Sequence, residues 1–313
     1  MKKIIIIIAV TALIVSIVIF PLFNKSQRRS RFKMGTVVEI TLNGPIWTNF
    51  DKIFEKAFLA IDKAQNLADR YNQGSQISIV NREAHKFPVV VDKELYNLIE
   101  NATSISKNTE GAFDITVTPL VELWGFYKKQ GSLPSDAKIK GALARVGFNN
   151  IVLDREKKAV FLKKDGVGLD LSAIAKGYAV DKAAKVIREC GISSAIINAG
   201  GDIYCVGKKN IFQKWNVGIK DPDDNKKIIK VIHVRDRAVA TSGGYEKFLT
   251  RQGEKYSHLI DPRTGLPAEI SRNATVVART CTLADALATA LCILSKNKID
   301  QLKIKYDIEV FIK

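Results

Sequence analysis

Apolar residues recur at helical spacing in several stretches of the chain. In residues 50–71 they include Phe54, Phe58 and Ile61, with Ala57 beside them, which predicts an amphipathic helix. The same spacing predicts further helices, one of them a short piece within a polar stretch. They are expected in residues 93–109, 131–146 (the polar stretch), 282–294 and the first part of 299–312.

Other stretches alternate apolar and polar residues or form short β-branched runs, which is typical of strands. Residues 34–42 alternate, and residues 151–163 are predicted to form a hairpin that turns near 154–157. Further strands are predicted at 195–197, 203–206, 215–219, 228–234, 238–241, 275–278 and the end of 299–312. Residues 73–82 are predicted to be a loop and turn. Strand runs joined by hairpin-like turns, with helices grouped between them, predict an α+β fold with much antiparallel sheet.

The stretch at residues 169–191 is predicted to run from a strand end into a helix. Ser172 suits the N-cap, and Gly191 suits the stop. Lys176 falls in the first turn, where the helix dipole disfavours a cation by about 0.3–1 kcal/mol. An anion bound at the free N–H groups would explain this lysine, and a side chain that points into solvent would explain it equally well.

The first 23 residues contain a long apolar run. Residues 4–23 follow Lys2 and Lys3 and are long enough to span a bilayer as a helix. No small-residue cleavage site follows, so we expect an uncleaved anchor, with a cleaved signal peptide as the alternative. The absence of a cysteine near residue 20 argues against lipoprotein processing.

A short basic linker is predicted at residues 27–33, directly after the apolar run. Basic residues in 25–33 outnumber the charges that precede the run. The positive-inside rule taken alone would therefore keep the rest of the chain in the cytoplasm.

The chain of 313 residues carries a formal net charge of +17. Such a chain can meet nucleic acid, an anionic membrane or a phosphate ligand, although a lysine-rich proteome is a sufficient explanation. The lysines are spread along the chain, and there is no helix-turn-helix, zinc-finger or RNP-like pattern, so nucleic-acid binding is not indicated. The four cysteines form no CxxC pair, which leaves zinc and thioredoxin-like sites unsupported and a disulfide open.

One carboxylate and one hydroxyl stand out in the apolar stretch ADALATAL. Asp285 and Thr289 are four residues apart, so they share one face of a helix. Burying them without partners is costly, and a hard divalent cation such as Mg²⁺ would satisfy both oxygens. Local capping by Asp285 and a hydrogen bond from Thr289 back to its own helix would also satisfy them.

The segment YSHLIDPRTG has a polar centre. His258, one of only three histidines, stands there near Asp261 and Arg263, which are phosphate-compatible groups. A lone histidine is usually structural, and these neighbours also suit proton transfer or phosphate positioning. Glycine pairs at 200–201 and 243–244 suit close approach of a ligand, and ordinary tight turns explain them equally well. Trp124 is interpreted as a core residue. There is no GxGxxG after the first strand, so a Rossmann site is not indicated.

Taken together, these motifs resemble the ApbE family, the FAD:protein FMN transferases. The stretches that carry the resemblance are MGT, GAFDITVTPLVELWGF, LDLSAIAKGYAVD, NAGGD, TSGGYE, YSHLIDPRTG and ADALATAL. They occur in this order from Met34 to the C-terminal region. The resemblance implies a two-lobed catalytic domain in residues 34–313, preceded by an anchor or signal segment and linker in residues 1–33.

The resemblance also implies which residues form the site. It implies catalytic roles for Lys176 and His258. The residues implied to contact the flavin nucleotide are Met34, Tyr71, Ala112, Phe113, Asp114, Asp170, Lys176, Thr241, His258 and Ile260. The residues implied to bind Mg²⁺ are Asp285 and Thr289, together with the backbone oxygens of Ala173 and Ala288.

The resemblance implies a Mg²⁺-dependent reaction in which FMN passes from FAD to a threonine or serine of an acceptor protein and AMP leaves. An FAD pyrophosphatase that uses water instead, or a flavin-binding carrier without catalysis, remains as an alternative. We expect the acceptor to be a membrane redox subunit. The resemblance further implies export, which places the catalytic domain on the extracytoplasmic face of a bacterial inner membrane.

Overall fold

An antiparallel seven-stranded sheet forms the centre of the described part of the protein in a computed structural model. The structure describes residues 24–126, 133–221, 224, 227–244, 248–251 and 253–313. The strands of the sheet, in the order in which they pair, are β1 (Asn24–Lys33), β2 (Thr36–Pro45), β6 (Ser194–Ala199), β7 (Asp202–Val206), β10 (Arg237–Gly243), β13 (Asn273–Ala278) and β14 (Glu309–Ile312). Every neighbouring pair is antiparallel, as the hairpin-like turns predict.

Three smaller groups of strands accompany this sheet. One is a sheet of β3 (Val89–Val90), β5 (Ala159–Leu162) and β4 (Ile151–Asp154). The other two are hairpins, formed by β8 (Trp215–Lys220) with β9 (Ile228–Val234) and by β11 (Phe248–Arg251) with β12 (Glu254–Ser257). The predicted hairpin in residues 151–163 is confirmed, because β4 and β5 pair across a turn in which Asp154 accepts from the N–H groups of Glu156 and Lys157.

Most of the helices lie in stretches where helical apolar spacing predicts them, and two, at residues 76–83 and 118–124, lie outside those stretches. They are α1 (Phe50–Ala68), α2 (Gln76–Glu83), α3 (Lys93–Asn108), α4 (Thr118–Trp124), α5 (Asp136–Leu143), α6 (Ser172–Glu189), α7 (Cys281–Leu291) and α8 (Lys296–Tyr306). The predicted helices at 50–71, 93–109 and 282–294 are confirmed to within a few residues. Helix α6 lies between α1 and α7, and both α6 and α7 contact the central sheet.

The two faces of the central sheet are both covered. On the face of the helices, small residues such as Ala240 and Ala278 belong to the main hydrophobic core. On the opposite face, Val239 and Val277 pack with residues of the β8–β9 hairpin, including Trp215. Alternate residues of β10 and β13 therefore enter different clusters, as the two-residue period of a strand requires.

Two local predictions need correction. Residues 73–82, predicted to be a loop, contain helix α2, whose first turn is capped by the Ser75 hydroxyl accepting from the Ser78 N–H. Ile77 and Val80 are the only aliphatic residues on the buried face of this helix. Two positions are too few for helical spacing to be recognised in the sequence. Ser172, predicted as the N-cap of α6, is instead its first helical residue, and the side chain of Asp170 accepts from its N–H at 2.9 Å.

The predicted basic linker at residues 27–33 is instead part of the edge strand β1. The guanidinium groups of Arg29 and Arg31 lie over the rings of Phe54 and Phe58 at 5.3 and 4.5 Å, and Arg29 pairs with Asp51 at 2.7 Å. Further ion pairs of this strand are Arg28–Glu39, Arg31–Glu55 and Lys33–Asp62. Alternate basic residues of the strand thus cover the aromatic stripe of α1, which a linker would leave uncovered.

The predicted membrane span in residues 1–23 lies outside the described residues. Within the ranges that the structure describes, there is no helix with the length and apolarity needed to cross a bilayer. All four cysteines are described and are free thiols.

Candidate functional site

A cavity of about 270 Å³ lies between the main core and a separate hydrophobic cluster. The separate cluster includes Leu120 and Trp124 of α4 and Ile139 of α5, together with Ile260. Trp124 is therefore a core residue, as expected. The residues implied by the family resemblance that line the cavity are Ala112, Phe113, Asp114, Asp170, Ala173, Lys176, Thr241, His258, Ile260, Asp285 and Thr289.

Three of the implied residues lie outside the lining of this cavity. Met34 occupies the turn between β1 and β2 with a φ of 53°, and its N–H donates to Gln65 Oε1 at 2.7 Å. Tyr71 is 61% exposed, and its ring packs against the guanidinium of Arg70. Ala288 is buried in α7.

The start of α6 holds one of the charged candidates, Lys176. Lys176 Nζ pairs with Asp202 Oδ2 at 2.5 Å, and the side chain of Asp202 is 1% exposed. Since Asp202 opens β7, this ion pair joins the first turns of α6 to the central sheet. Lys176 therefore faces the cavity with its charge already oriented by a buried carboxylate, rather than pointing freely into solvent.

Asp285 and Thr289 lie on one face of α7, as their spacing predicts, and both line the cavity. Asp285 is 2% exposed and accepts from the Gly177 N–H at 2.9 Å. In a regular helix that N–H pairs with the Ala173 carbonyl, so sharing it with Asp285 leaves bonding capacity on the Ala173 oxygen. Thr289 Oγ1 lies 3.2 Å from the hydroxyl of Ser242.

These oxygens fit a hard cation. Within the described part of the chain, the Gly177 N–H is the one hydrogen-bond donor to the buried Asp285 carboxylate. A buried carboxylate with so few donors is stabilised by a positive charge, and carboxylate, hydroxyl and carbonyl oxygens are the ligands that Mg²⁺ prefers. The described residues contain no group of three or more histidine, cysteine or acidic residues close enough to hold a metal by themselves. A cation here would therefore need oxygens from the substrate as well.

The contact between α6 and α7 fixes the position of Asp285. Asp181 of α6 accepts from the N–H groups of Cys281 and Thr282 and from the Thr282 hydroxyl, at 2.8, 2.8 and 2.6 Å. It thereby caps the N-terminus of α7 from another helix. Burial raises the pKa of the Asp181 carboxyl, although these hydrogen bonds act to lower it. This role of Asp181 is not predictable from the sequence because its partners are about 100 residues away.

At Gly177 of α6, the backbone at the start of α7 approaches so closely that there is no room for a side chain. A Cβ added there would lie 2.2 Å from the Cys281 carbonyl oxygen. We expect Gly177→Ala to push the start of α7 away and to lower the free energy of unfolding by about 1–3 kcal/mol or more. Binding of the flavin nucleotide that the family resemblance implies should weaken with it, because Asp285 moves with α7. Urea unfolding and FAD titration measure the two effects.

The matched control for this substitution is Gly141→Ala in α5. A Cβ at Gly141 meets no atom within 4 Å, and the residue is helical. Alanine there should leave stability unchanged or raise it by about 0.4–1 kcal/mol. Equal stability of the two variants would contradict the close approach at Gly177.

The segment that carries Ala112 and Phe113 is held by the carboxylate of Asp114. Asp114 accepts from the N–H and hydroxyl of Thr116 at 2.8 and 2.7 Å and from the Phe148 N–H at 2.7 Å. Burial raises the pKa of Asp114 against these bonds. This carboxylate therefore shapes the wall of the cavity by ordering its own loop.

The loop that carries His258 is tied down at several points. Asp261, a carboxylate in the same loop, accepts from the Arg263 guanidinium at 2.9 and 2.8 Å, so both of its oxygens are engaged. Trp124 Nε1 donates to the Gly265 carbonyl at 2.9 Å. His258 itself is half-buried and lines the cavity. Of these two groups, His258 is the one that lines the cavity.

Comparisons with known proteins match almost the whole described chain. The chain matches the ApbE family over residues 34–312. It is 35% identical to the FAD:protein FMN transferase of Treponema pallidum, over 78% of this chain and 72% of that protein. It is 29% identical to the FAD:protein FMN transferase of Haemophilus influenzae, over 100% of this chain and 93% of that protein.

Solved structures agree with this assignment. The crystal structure of the ApbE protein from Thermotoga maritima superposes with a TM-score of 0.84 at 32% identity, covering 92% of this chain and 94% of that chain. The flavin transferase ApbE from Vibrio cholerae superposes with a TM-score of 0.82 at 27% identity, covering 92% and 93%. The predicted α+β fold with antiparallel sheets is confirmed.

Proposed function

Because the chain belongs to the ApbE family, we propose that it is an FAD:protein FMN transferase. The observation that carries the proposal is the convergence of Lys176, His258, Asp285 and Thr289 on one cavity. A cation, a carboxylate and a half-buried histidine around one space suit transfer of a phosphoryl group, in which most of the work is positioning and neutralisation of charge.

The proposed reaction breaks the phosphoanhydride bond of FAD and forms a phosphoester bond. The hydroxyl oxygen of a threonine or serine on an acceptor protein attacks the phosphorus on the FMN side of FAD. The bond from that phosphorus to the bridging oxygen breaks, AMP leaves with that oxygen, and FMN stays attached to the acceptor through a phosphodiester. The hydroxyl proton is released.

The first turns of α6 are proposed to bind the pyrophosphate of FAD. Lys176 supplies a positive charge beside the N-terminus of the helix, and that end of a helix favours anions. The ion pair with Asp202 holds the ammonium group in place before substrate arrives. Orientation before binding lowers the entropy that binding costs.

The oxygens of Asp285, Thr289 and Ala173 are proposed to hold Mg²⁺ together with the pyrophosphate. The Ala288 carbonyl, a further implied ligand, accepts a long contact from the Cys292 thiol at 3.4 Å. The hydroxyl of Ser242, beside Thr289, is a further oxygen at this place. When bound, Mg²⁺ would supply neutralisation of the pyrophosphate charge.

His258 is proposed to accept the proton of the acceptor hydroxyl. It lies in the wall of the cavity formed by the loop after β12, outside the helix start that carries Lys176. A group in this position can remove a proton without holding the pyrophosphate.

Mass spectrometry of a candidate acceptor protein tests the proposed function. After incubation with the enzyme, FAD and Mg²⁺, the acceptor should gain the mass of one FMN phosphoester at a threonine or serine, and AMP should appear in equal amount. Release of AMP without a gain in mass would instead support an FAD pyrophosphatase. Tight flavin binding with neither product would support a carrier.

We further propose that residues 1–23 anchor the enzyme to a bacterial inner membrane with the catalytic domain outside the cytoplasm, where a membrane redox subunit would be the acceptor. The position of β1, which begins at Asn24, bears on the alternative of a cleaved signal peptide. A signal peptidase cut at residues 25–33 would remove part of an edge strand that covers α1.

If residues 1–23 are an uncleaved anchor, the protein should fractionate with membranes and its mature N-terminus should retain these residues. Cell fractionation and sequencing of the mature N-terminus measure this. A protein in the soluble fraction that begins at or after residue 24 would contradict the anchor and indicate a cleaved signal peptide.

A further inference from the structure

Arg70 is a buried arginine beside the cavity with three different polar partners. Its side chain is 9% exposed and follows the end of α1. Its Nη1 donates to Glu122 at 3.1 Å, its Nη2 donates to the Tyr71 hydroxyl at 3.0 Å, and its Nε lies 3.0 Å from Asp170 Oδ2. The guanidinium also stacks on the Tyr71 ring at 4.6 Å.

The partners of Arg70 belong to different walls of the site. Asp170 lines the cavity, and its other oxygen accepts from the Ser172 N–H at the start of α6. Glu122 belongs to α4, whose neighbouring residue Val121 lines the opposite wall. Arg70 therefore connects the start of α6 to α4, although it does not line the cavity itself.

Arg70 and Asp170 form an ion pair, but the Nε–H of Arg70 does not point at the carboxylate oxygen well enough to form a hydrogen bond. The Nε–H of Arg70 is buried and has no hydrogen-bond partner within the described part of the chain, despite the separation of 3.0 Å from Asp170 Oδ2. A buried donor without an acceptor is unfavourable. Polar contacts of a site are often poorly aligned in the free protein and tighten in the complex. A small rotation of the Asp170 carboxylate on ligand binding would align this bond.

An arginine suits this position in a way that a lysine does not. The planar guanidinium presents donors in fixed, divergent directions and can serve a carboxylate, a phenol and a second carboxylate at once. A lysine ammonium is a compact charge that could reach Asp170 but could not also stack on Tyr71 and bond Glu122 in the same geometry. Replacement of Arg70 should therefore release Asp170 and Tyr71 together.

We propose that Arg70 is a positioning residue that sets the affinity of the site for FAD by orienting the carboxylate of Asp170. The proposal rests on the proposed function, because it takes Asp170 as a contact of FAD. Arg70 does not touch the reacting phosphorus in this proposal. Its replacement should change FAD binding far more than the rate of transfer at saturating FAD.

FAD titration and single-turnover transfer separate these two effects. Arg70→Met should weaken FAD binding about 10-fold or more and leave transfer at saturating FAD within about 3-fold of the wild type. Arg70→Lys keeps the charge and should regain part of the affinity. Glu122→Gln, which alters an exposed carboxylate partner of Arg70 and leaves Asp170 unchanged, should bind FAD within about 2-fold of the wild type.

A double-mutant cycle with Asp170→Asn tests whether Arg70 acts through Asp170. The Arg70→Met loss should be much smaller when Asp170 is already Asn. Additive losses, wild-type affinity in Arg70→Met, or a fall in transfer as large as the fall in binding would each overturn the inference. Thermal unfolding without FAD checks the fold of each variant, and Arg70→Lys provides the same comparison if Arg70→Met does not fold.

The outcome is distinguishable from a failure of the proposed function. If the wild-type protein binds and transfers flavin and Arg70→Met does both equally well, only the proposed role of Arg70 is overturned. Wild-type protein that binds no FAD would overturn the proposed function and the role of Arg70 with it.

Discussion

Asp285→Asn is expected to lower the rate of flavin transfer by at least about 100-fold while the protein still folds. A metal ion that neutralises charge in the transition state is worth several kcal/mol, and about 1.4 kcal/mol corresponds to a factor of ten in rate. Asparagine has nearly the same shape and keeps an oxygen that can accept from the Gly177 N–H, so the contact between α6 and α7 should survive. Single-turnover transfer at a series of Mg²⁺ concentrations measures the effect.

The control for this variant is Asp300→Asn, which removes a carboxylate from the exposed surface of α8. Asp300 pairs with Lys303 one turn away, and such exposed pairs contribute little. Asp300→Asn should transfer flavin as fast as the wild type at every Mg²⁺ concentration. Full activity of Asp285→Asn at low Mg²⁺ would show that this carboxylate does not hold the metal.

His258→Ala is expected to bind FAD like the wild type and to lose transfer by about 10²–10⁴-fold, the usual contribution of general acid–base catalysis. His258 belongs to the loop after β12, whereas Lys176 belongs to the first turns of α6. Lys176→Met is the informative comparison, since loss of a charge that meets the pyrophosphate should weaken FAD binding and slow transfer together.

Calorimetric titration with FAD and single-turnover transfer, performed on both variants, separate the two roles. A loss of FAD binding in His258→Ala that matches its loss of rate would identify the histidine as a ligand contact. The base would then have to be another group, and Asp261 is poorly placed for that role because Arg263 occupies both of its oxygens.

Much of the architecture could be predicted because it depends on local periodicity. The buried face of α1 repeats at Phe50, Phe54 and Phe58, so any helix in this stretch presents the same stripe. The shared face of Asp285 and Thr289 follows in the same way from a spacing of four residues. Local spacing does not say what meets such a face, which is why the sequence left both a metal and local capping open for Asp285.

Interactions between distant segments were not predictable in this way. The basic residues of β1 look like a linker until the chain brings them over α1, where aromatic rings and acidic side chains cover one side of the strand. Helix α2 was missed because its two buried aliphatic residues form too short a period. Its N-cap at Ser75 offers only one further local signal.

The sequence by itself determined the α+β class, most element positions and the residue types available for phosphoryl chemistry, because these depend on neighbours within a few turns of chain. Only the tertiary structure decided that Asp202 orients Lys176, that Asp181 caps α7 and that Arg70 braces Asp170. Lys176 and Asp202 are 26 residues apart in the sequence. Asp181 and Cys281 are 100 residues apart, and so are Arg70 and Asp170. Ion pairs and caps of this kind form between side chains that folding brings together, and their strength depends on the burial that the fold creates.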